Sequence, residues 1–185
     1  MSIITDTQSQ RNTGCIHIYC GDGKGKTTCG MGLCTRAAGF GYKVLIYQFM
    51  KNNNTSERKI LEPLENVTFV NGLDQEKFSF RMTEQEKEDR RAYYEERFEY
   101  VTQLAAKDDY DVLFLDEIIY AIRSGLFQET ILLDFLKSKP KYLEVILTGQ
   151  NPSEALISAA DYVSEIKKRK HPFDQGLPAR KGIEK

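Results

Sequence analysis

Tryptophan is missing from the 185-residue chain, and histidine occurs only twice, at His17 and His171. With so few imidazoles and no Cys-x-x-Cys pair, a zinc site is not expected. No apolar run comes near the roughly 18 residues of a membrane span; the runs are short, such as Val112-Leu113-Phe114-Leu115. The first fourteen residues carry no apolar core of a signal peptide. An excess of one charge is lacking too. Lys and Arg number 26 against 27 Asp and Glu, a net charge of −1, so the chain as a whole gives no reason to expect nucleic acid. No internal repeat or low-complexity tract interrupts it. What remains is an ordinary globular composition, 41% hydrophobic and 29% charged, of a length that suits one domain without disulfides. A cytoplasmic, reducing location is expected. Cys15, Cys20, Cys29 and Cys34 then stay free, and Cys20, bordering the loop described below, is the one placed to react.

Residues 1–13 read as an arm and residues 14–185 as a single nucleotide-binding domain. A strand is predicted over 15–20, a helix over 26–38 with Gly30 and Gly32 permitting close backbone approach, and strands over 44–49 and 67–70. Lys51 to Arg58 read as loop. Thr83-Glu84-Gln85-Glu86 is a capping box, so a helix starts there and runs to about Lys107. Tyr94, Phe98, Val101 and Ala105 recur at helical spacing and form its buried stripe. Its other face is charged, with i,i+4 pairs such as Glu86–Arg90 expected. Val112 to Leu115 are apolar without alternation, as in a strand covered on both faces. A helix over 128–137 and strands over 144–147 and 162–166 follow. Strands alternating with helices imply an α/β fold, a mostly parallel sheet flanked by helices.

The most informative segment is Gly21-Asp22-Gly23-Lys24-Gly25-Lys26-Thr27-Thr28, between the first strand and the first helix. Phosphate concentrates negative charge, and a helix N-terminus offers unpaired N–H groups at the positive end of its dipole. Glycines at alternate positions let the backbone curl with its amides inward. Lys26 supplies a mobile charge for the outer phosphates, and the Thr27 hydroxyl is placed to bind Mg²⁺. The standard P-loop has a glycine five residues before its Gly-Lys pair, where this chain has Cys20; Gly21 stands four before Gly25 instead. A random chain of this length would show the shorter pattern on the order of 1% of the time. P-loop enzymes also need carboxylates beside the metal, and Asp116 and Glu117 end a buried strand. Ligands in such sheets bind at the carboxyl ends of the strands. Asp116 would hold the metal through water or orient Thr27; Glu117 would contact Mg²⁺ directly or act as a base.

These residues, together with Arg36-Ala37-Ala38-Gly39, Gln48-Phe49-Met50-Lys51, Leu115-Asp116-Glu117, Thr148-Gly149, Ala160-Asp161, Lys170-His171-Pro172-Phe173 and Gly182-Ile183-Glu184, resemble the P-loop type of ATP:corrinoid adenosyltransferase. The similarity runs from about residue 14 to the end, and the shortened P-loop is that family's own form. The resemblance implies a P-loop NTPase (RecA-like) architecture. It also implies transfer of the 5′-deoxyadenosyl group of ATP to the Co(I) of a corrinoid, with triphosphate released. The expected enzyme is a cytoplasmic, Mg²⁺-dependent homodimer, with a small flavoprotein as electron donor and no nucleic-acid or membrane partner. It further implies that residues 21–28 (Gly21, Asp22, Gly23, Lys24, Gly25, Lys26, Thr27, Thr28) wrap the triphosphate, that Thr27 and Glu117 hold the metal, and that Arg36 reaches the nucleotide. Phe78 and Phe80 stand where the family carries an aromatic pair that helps strip the lower axial ligand from cobalt. As structural residues, the two would instead alternate along a strand with core contacts. Departures are Gln150 for an arginine, Arg180 for a glutamine and Asn52 for a glycine. Two other functions use the same loop: a small-molecule kinase with Glu117 as base, and an ATP-dependent nucleic-acid-associated switch using the basic tail, whose last twenty residues hold seven basic and two acidic groups.

Overall fold

The computed structural model describes residues 13–77 and 79–184, so residues 1–12 of the 1–13 arm, Phe78 and Lys185 lie outside the described residues. Six strands, β1 (Ile16–Cys20), β2 (Val44–Gln48), β3 (Val67–Val70), β4 (Val112–Asp116), β5 (Glu144–Thr148) and β6 (Tyr162–Glu165), form one sheet. Their order is β3-β2-β4-β5-β1-β6, and every pairing is parallel. The helices are α1 (Lys26–Phe40), α2 (Arg58–Leu61), α3 (Glu84–Lys107), α4 (Ile118–Arg123), α5 (Glu129–Ser138) and α6 (Glu154–Ala159).

The central strands are buried on both faces, and their residues divide with the period of two that a strand imposes. Val44, Ile46, Val112, Phe114 and Ile146 pack with Met31, Cys34, Ala37 and Ala38 of α1 and Leu61 of α2. The alternate residues Leu45, Tyr47, Leu113, Leu115, Val145 and Leu147 pack with α3 and α5 on the other face. Each such side chain contributes about 1.5–3 kcal/mol when fully buried. On α1, Gly30 permits the close approach expected of it: a Cβ there would lie 2.3 Å from the Phe114 ring. Gly32 does not share that role, since a Cβ on it would meet nothing within 4 Å.

The capping box forms as read. The Thr83 hydroxyl accepts from the Glu86 amide at 3.2 Å, and the Glu86 carboxylate accepts from the Thr83 amide at 2.7 Å. The buried residues of α3 are Tyr94, Phe98, Val101 and Ala105. The pairing differs: the half-buried Arg90 pairs with Glu76 and the exposed Glu86 with Lys77, both partners lying in the segment before the helix. The six-residue α4 and α6 are too short to show a helical period and were not anticipated. Nor is there a strand at Phe80. Ser79–Arg81 is a single 3₁₀ turn and Phe80 is 75% exposed, so the core-contact reading of this ring is wrong. Cys20 is buried, with burial raising its thiol, whereas Cys29 is the exposed cysteine. All four cysteines are free.

Because all strands are parallel, their carboxyl ends open on one edge of the sheet, and the loops after β1, β2, β4, β5 and β6 converge there.

Candidate active site

β1 runs straight into the phosphate-type loop. Gly21 turns with φ 104° and Gly25, the N-cap of α1, with φ 121°, both conformations that favour glycine. Gly21 and Gly23 serve a second purpose that sequence reasoning missed. Ile166, just past β6, lies against them: the Gly23 amide donates to its carbonyl at 2.8 Å, and a Cβ on Gly21 would sit 2.3 Å from that oxygen. The first turn of α1 holds no acidic residue and no side chain caps it, so its positive end is left for an anion. The Lys26 ammonium donates to the Gly23 carbonyl at 2.8 Å, across its own loop.

At the end of β4, Asp116 is completely buried and fully engaged. Its Oδ1 accepts from the hydroxyls of Thr27 at 2.9 Å and Thr148 at 2.6 Å. Its Oδ2 accepts from Gln48 at 3.1 Å and from the Lys51 ammonium at 2.6 Å. Lys51 also donates to the Thr27 hydroxyl at 3.0 Å. With its lone pairs taken by these groups, Asp116 is bonded directly to the Thr27 hydroxyl. Glu117 follows in the left-handed region, φ 61°, its amide donating to the Thr148 hydroxyl at 2.8 Å. Burial, reinforced by the Asp116 charge, raises the Glu117 carboxyl above its ordinary value, while Lys51 and Lys26 oppose the shift. A carboxylate so placed gains from a cation.

The C-terminal segment closes over the loop. The Lys168 amide donates to the Asp22 carboxylate at 2.8 Å, which lowers that carboxyl's pKa. The His171 Nδ1 accepts from the Phe173 amide at 3.2 Å and caps the 3₁₀ turn Pro172–Gln175. Arg180 grips Glu184 with two guanidinium nitrogens, at 2.8 and 3.1 Å, and its amide adds a third bond at 2.9 Å. That grip draws the Glu184 carboxyl down to about 2. Between this segment and the loop lies a cavity of about 330 Å³. Its floor is residues 22–28 with Glu117, and its roof includes His171, Phe173, Leu177 and Ile183. A second cavity, of about 440 Å³, flanks the loop beside Lys167, Lys168 and Arg169.

The structure therefore brings together Asp22, Gly23, Lys24, Gly25, Lys26, Thr27, Thr28 and Glu117, with Gly21 and Asp116 directly behind them. Arg36 and Phe80 do not line this cavity. Arg36 is exposed on α1, where its charge opposes the rise that burial gives the Tyr19 hydroxyl. Phe80 stands out from the surface with the Arg81 guanidinium 5.6 Å from its ring centre. Lys51, Gln48 and Thr148 were given no role from sequence. All three lie at or just beyond strand carboxyl ends, where they were open to suspicion.

The family model of ATP:corrinoid adenosyltransferase BtuR/CobO/CobP matches residues 12–184. A corrinoid adenosyltransferase of Escherichia coli K12 is 33% identical over 180 residues, covering 96% of this chain and 88% of the relative. One from a Sinorhizobium species is 33% identical over 174 residues, covering 92% and 80%. One from Pseudomonas aeruginosa is 31% identical over 180 residues, covering 96% and 86%. Among solved structures, a KaiC-like protein of Pyrococcus horikoshii superposes with a TM-score of 0.52 at 14% identity, covering 84% of this chain and 73% of that one, a likeness of fold alone. Match length and identity together settle the relationship: the chain belongs to the ATP:corrinoid adenosyltransferase BtuR/CobO/CobP family.

Proposed function

We propose that the protein transfers the 5′-deoxyadenosyl group of ATP to the cobalt of a corrinoid reduced to Co(I), releasing triphosphate. The observation that carries this reading, beside family membership, is the cavity in which a phosphate-type loop faces the Lys170–Glu184 tail. Co(I) is a nucleophile with no proton to lose. The Co–C5′ bond forms as the C5′–O5′ bond breaks, and the electron pair leaves on the triphosphate oxygen. No general base is needed, unlike a kinase reaction on a hydroxyl. Consistent with that, the one histidine at the cavity uses its Nδ1 to cap a turn.

Catalysis then rests on the leaving group. The loop amides, the N-terminus of α1 and Lys26 would stabilise the charge gathering on the triphosphate. Lys26 would exchange its bond to the Gly23 carbonyl for phosphate oxygen. The Thr27 hydroxyl and the Glu117 carboxylate would hold Mg²⁺. Few protein oxygens joined by phosphate suit this ion, and among the described residues no group of three His, Cys, Asp or Glu forms a separate metal cage. Mg²⁺ would supply neutralising charge to the departing triphosphate. Asp116 would keep Thr27 and Lys51 aimed. Arg36 would serve the nucleotide from outside the present cavity. Phe78 and Phe80 would press on the lower face of the corrinoid; the exposure of Phe80 supports a ring kept for a ligand. A homodimer working in the cytoplasm, whose corrinoid cobalt a small flavoprotein reduces to Co(I), completes the proposal. Among the described residues no helix is long and apolar enough to cross a membrane.

The test is to incubate the protein with Mg·ATP and a chemically reduced corrinoid while following the cobalt spectrum and the phosphate products. One triphosphate should appear per adenosylcobalt bond. ADP as first product would indicate a kinase and overturn the assignment.

A further inference from the structure

Between the phosphate loop and the segment carrying Phe80 stands a polar cluster, a buried tyrosine with a half-buried ion pair, that no step above uses. After β2 ends at Gln48, the chain turns through Phe49 and Met50 before reaching Lys51. Met50 has φ 54°, in the left-handed region. A residue with a side chain enters that region at a cost of about 1 kcal/mol or more, and stays only where its surroundings hold it there. The holding group is Tyr94 of α3, 1% exposed, whose hydroxyl accepts from the Met50 amide at 2.9 Å. The Tyr94 ring also packs edge-on against Phe49, 5.2 Å between centres.

The same hydroxyl donates to Glu76 Oε1 at 3.0 Å, and Glu76 Oε2 accepts from the Arg90 guanidinium. The carboxylate is thus hydrogen-bonded on both oxygens, and burial raises its pKa above the ordinary value against the opposing Arg90 charge. Holding this half-buried ion pair costs some desolvation that a fully exposed pair on α3 would avoid. Glu76 belongs to the stretch that leads directly into the Ser79–Arg81 turn with its exposed Phe80. Tyr94 therefore joins two loops. One places Lys51 on Thr27 and Asp116, at 3.0 and 2.6 Å. The other presents Phe80.

We propose that Tyr94, supported by Glu76 and Arg90, is a positioning residue for Lys51: by fixing the Met50 turn it sets the lysine on Thr27 and Asp116, and it ties that arrangement to the segment bearing Phe80. The inference rests on the reading that the phosphate loop binds ATP. Tyr94 itself touches no substrate.

The test is a double-mutant cycle of Tyr94→Phe and Lys51→Ala, read by the Kd for Mg·ATP without corrinoid and by thermal unfolding. Tyr94→Phe is expected to weaken ATP binding about tenfold, the equivalent of one strong hydrogen bond. In the Lys51→Ala background the same change should add nothing further. An equal loss in both backgrounds, or a lowered Tm with ATP affinity intact, would mean that the hydroxyl serves stability alone and would overturn the proposal. Should Tyr94→Phe fail to fold, Glu76→Gln enters the same cycle, with a loss of about threefold that again vanishes beside Lys51→Ala; persistence of that loss would be equally fatal. Because the cycle reads binding, it stands apart from the identity of the reaction. A wild-type protein that binds ATP but releases ADP would refute the proposed function while leaving the cycle to judge Tyr94.

Discussion

The phosphate end and the Phe80 end of the molecule are built in opposite ways. Around Asp116 every polar atom is engaged: Thr27, Thr148, Gln48 and Lys51 converge on one buried carboxylate at the carboxyl ends of parallel strands. The Phe80 ring, by contrast, rides on a single 3₁₀ turn and is largely exposed. Stabilising a fixed polyanion calls for dipoles set in place before the substrate arrives. A ring proposed to contact a large macrocyclic ligand needs surface held open to it, and the fold can leave such surface on a short connection.

Substitutions should separate the two ends. The largest effect is expected at Lys26. Lys26→Ala should lower adenosyl transfer about 10²–10³-fold, the loss typical of one electrostatic donor at a developing charge, whether Co(I) is made chemically or enzymatically. Steady-state assays with both cobalt sources check this, and a loss confined to one source would break the comparison. At Asp116 the expectation is structural as well. Asp116→Ala leaves Thr148, Gln48 and the partly exposed Lys51 without their shared acceptor and should cost about 1–3 kcal/mol of stability, measured by denaturant unfolding. Phe80→Ala should leave stability within about 0.5 kcal/mol. It should nevertheless abolish turnover that depends on a flavoprotein donor reducing enzyme-bound Co(II), while activity with chemically generated Co(I) is spared. Equal loss in both assays would assign the ring another task.

The smallest effect concerns the tail. The Glu184 carboxyl, drawn from 4.5 to about 2 by Arg180, contributes to closure above its ordinary value, and the contribution fades as pH falls from 4.5 towards 2. An NMR titration of the Glu184 carboxyl carbon should show a midpoint near 2, moving back towards 4.5 in Arg180→Ala. A wild-type midpoint already near 4.5 would show that the tail is not gripped there.

The long elements were legible because their periods are written in consecutive residues: the doubly buried β4, the capping box at Thr83, the stripe from Tyr94 to Ala105. The loop over 21–28 was legible because glycine spacing and a lysine are local signals. Lys51 was not, because its partner Asp116 lies 65 residues away and only the β2–β4 register, Gln48 beside Asp116, brings them together. The need for Gly21 and Gly23 under Ile166 was hidden for the same reason. The Phe80 segment misled in another manner: an aromatic at every second position suggests a strand, but Ser79–Arg81 folds as a 3₁₀ turn.

The central claim is that bonds change at carbon and not at phosphorus. ATP bearing ¹⁸O at the bridge between C5′ and the α-phosphorus, supplied with a chemically reduced corrinoid, tests it directly by mass spectrometry of the products. All of the bridge label should leave in triphosphate, with none in the adenosylcorrinoid. Label retained on the nucleoside, or recovered in ADP, would contradict the account.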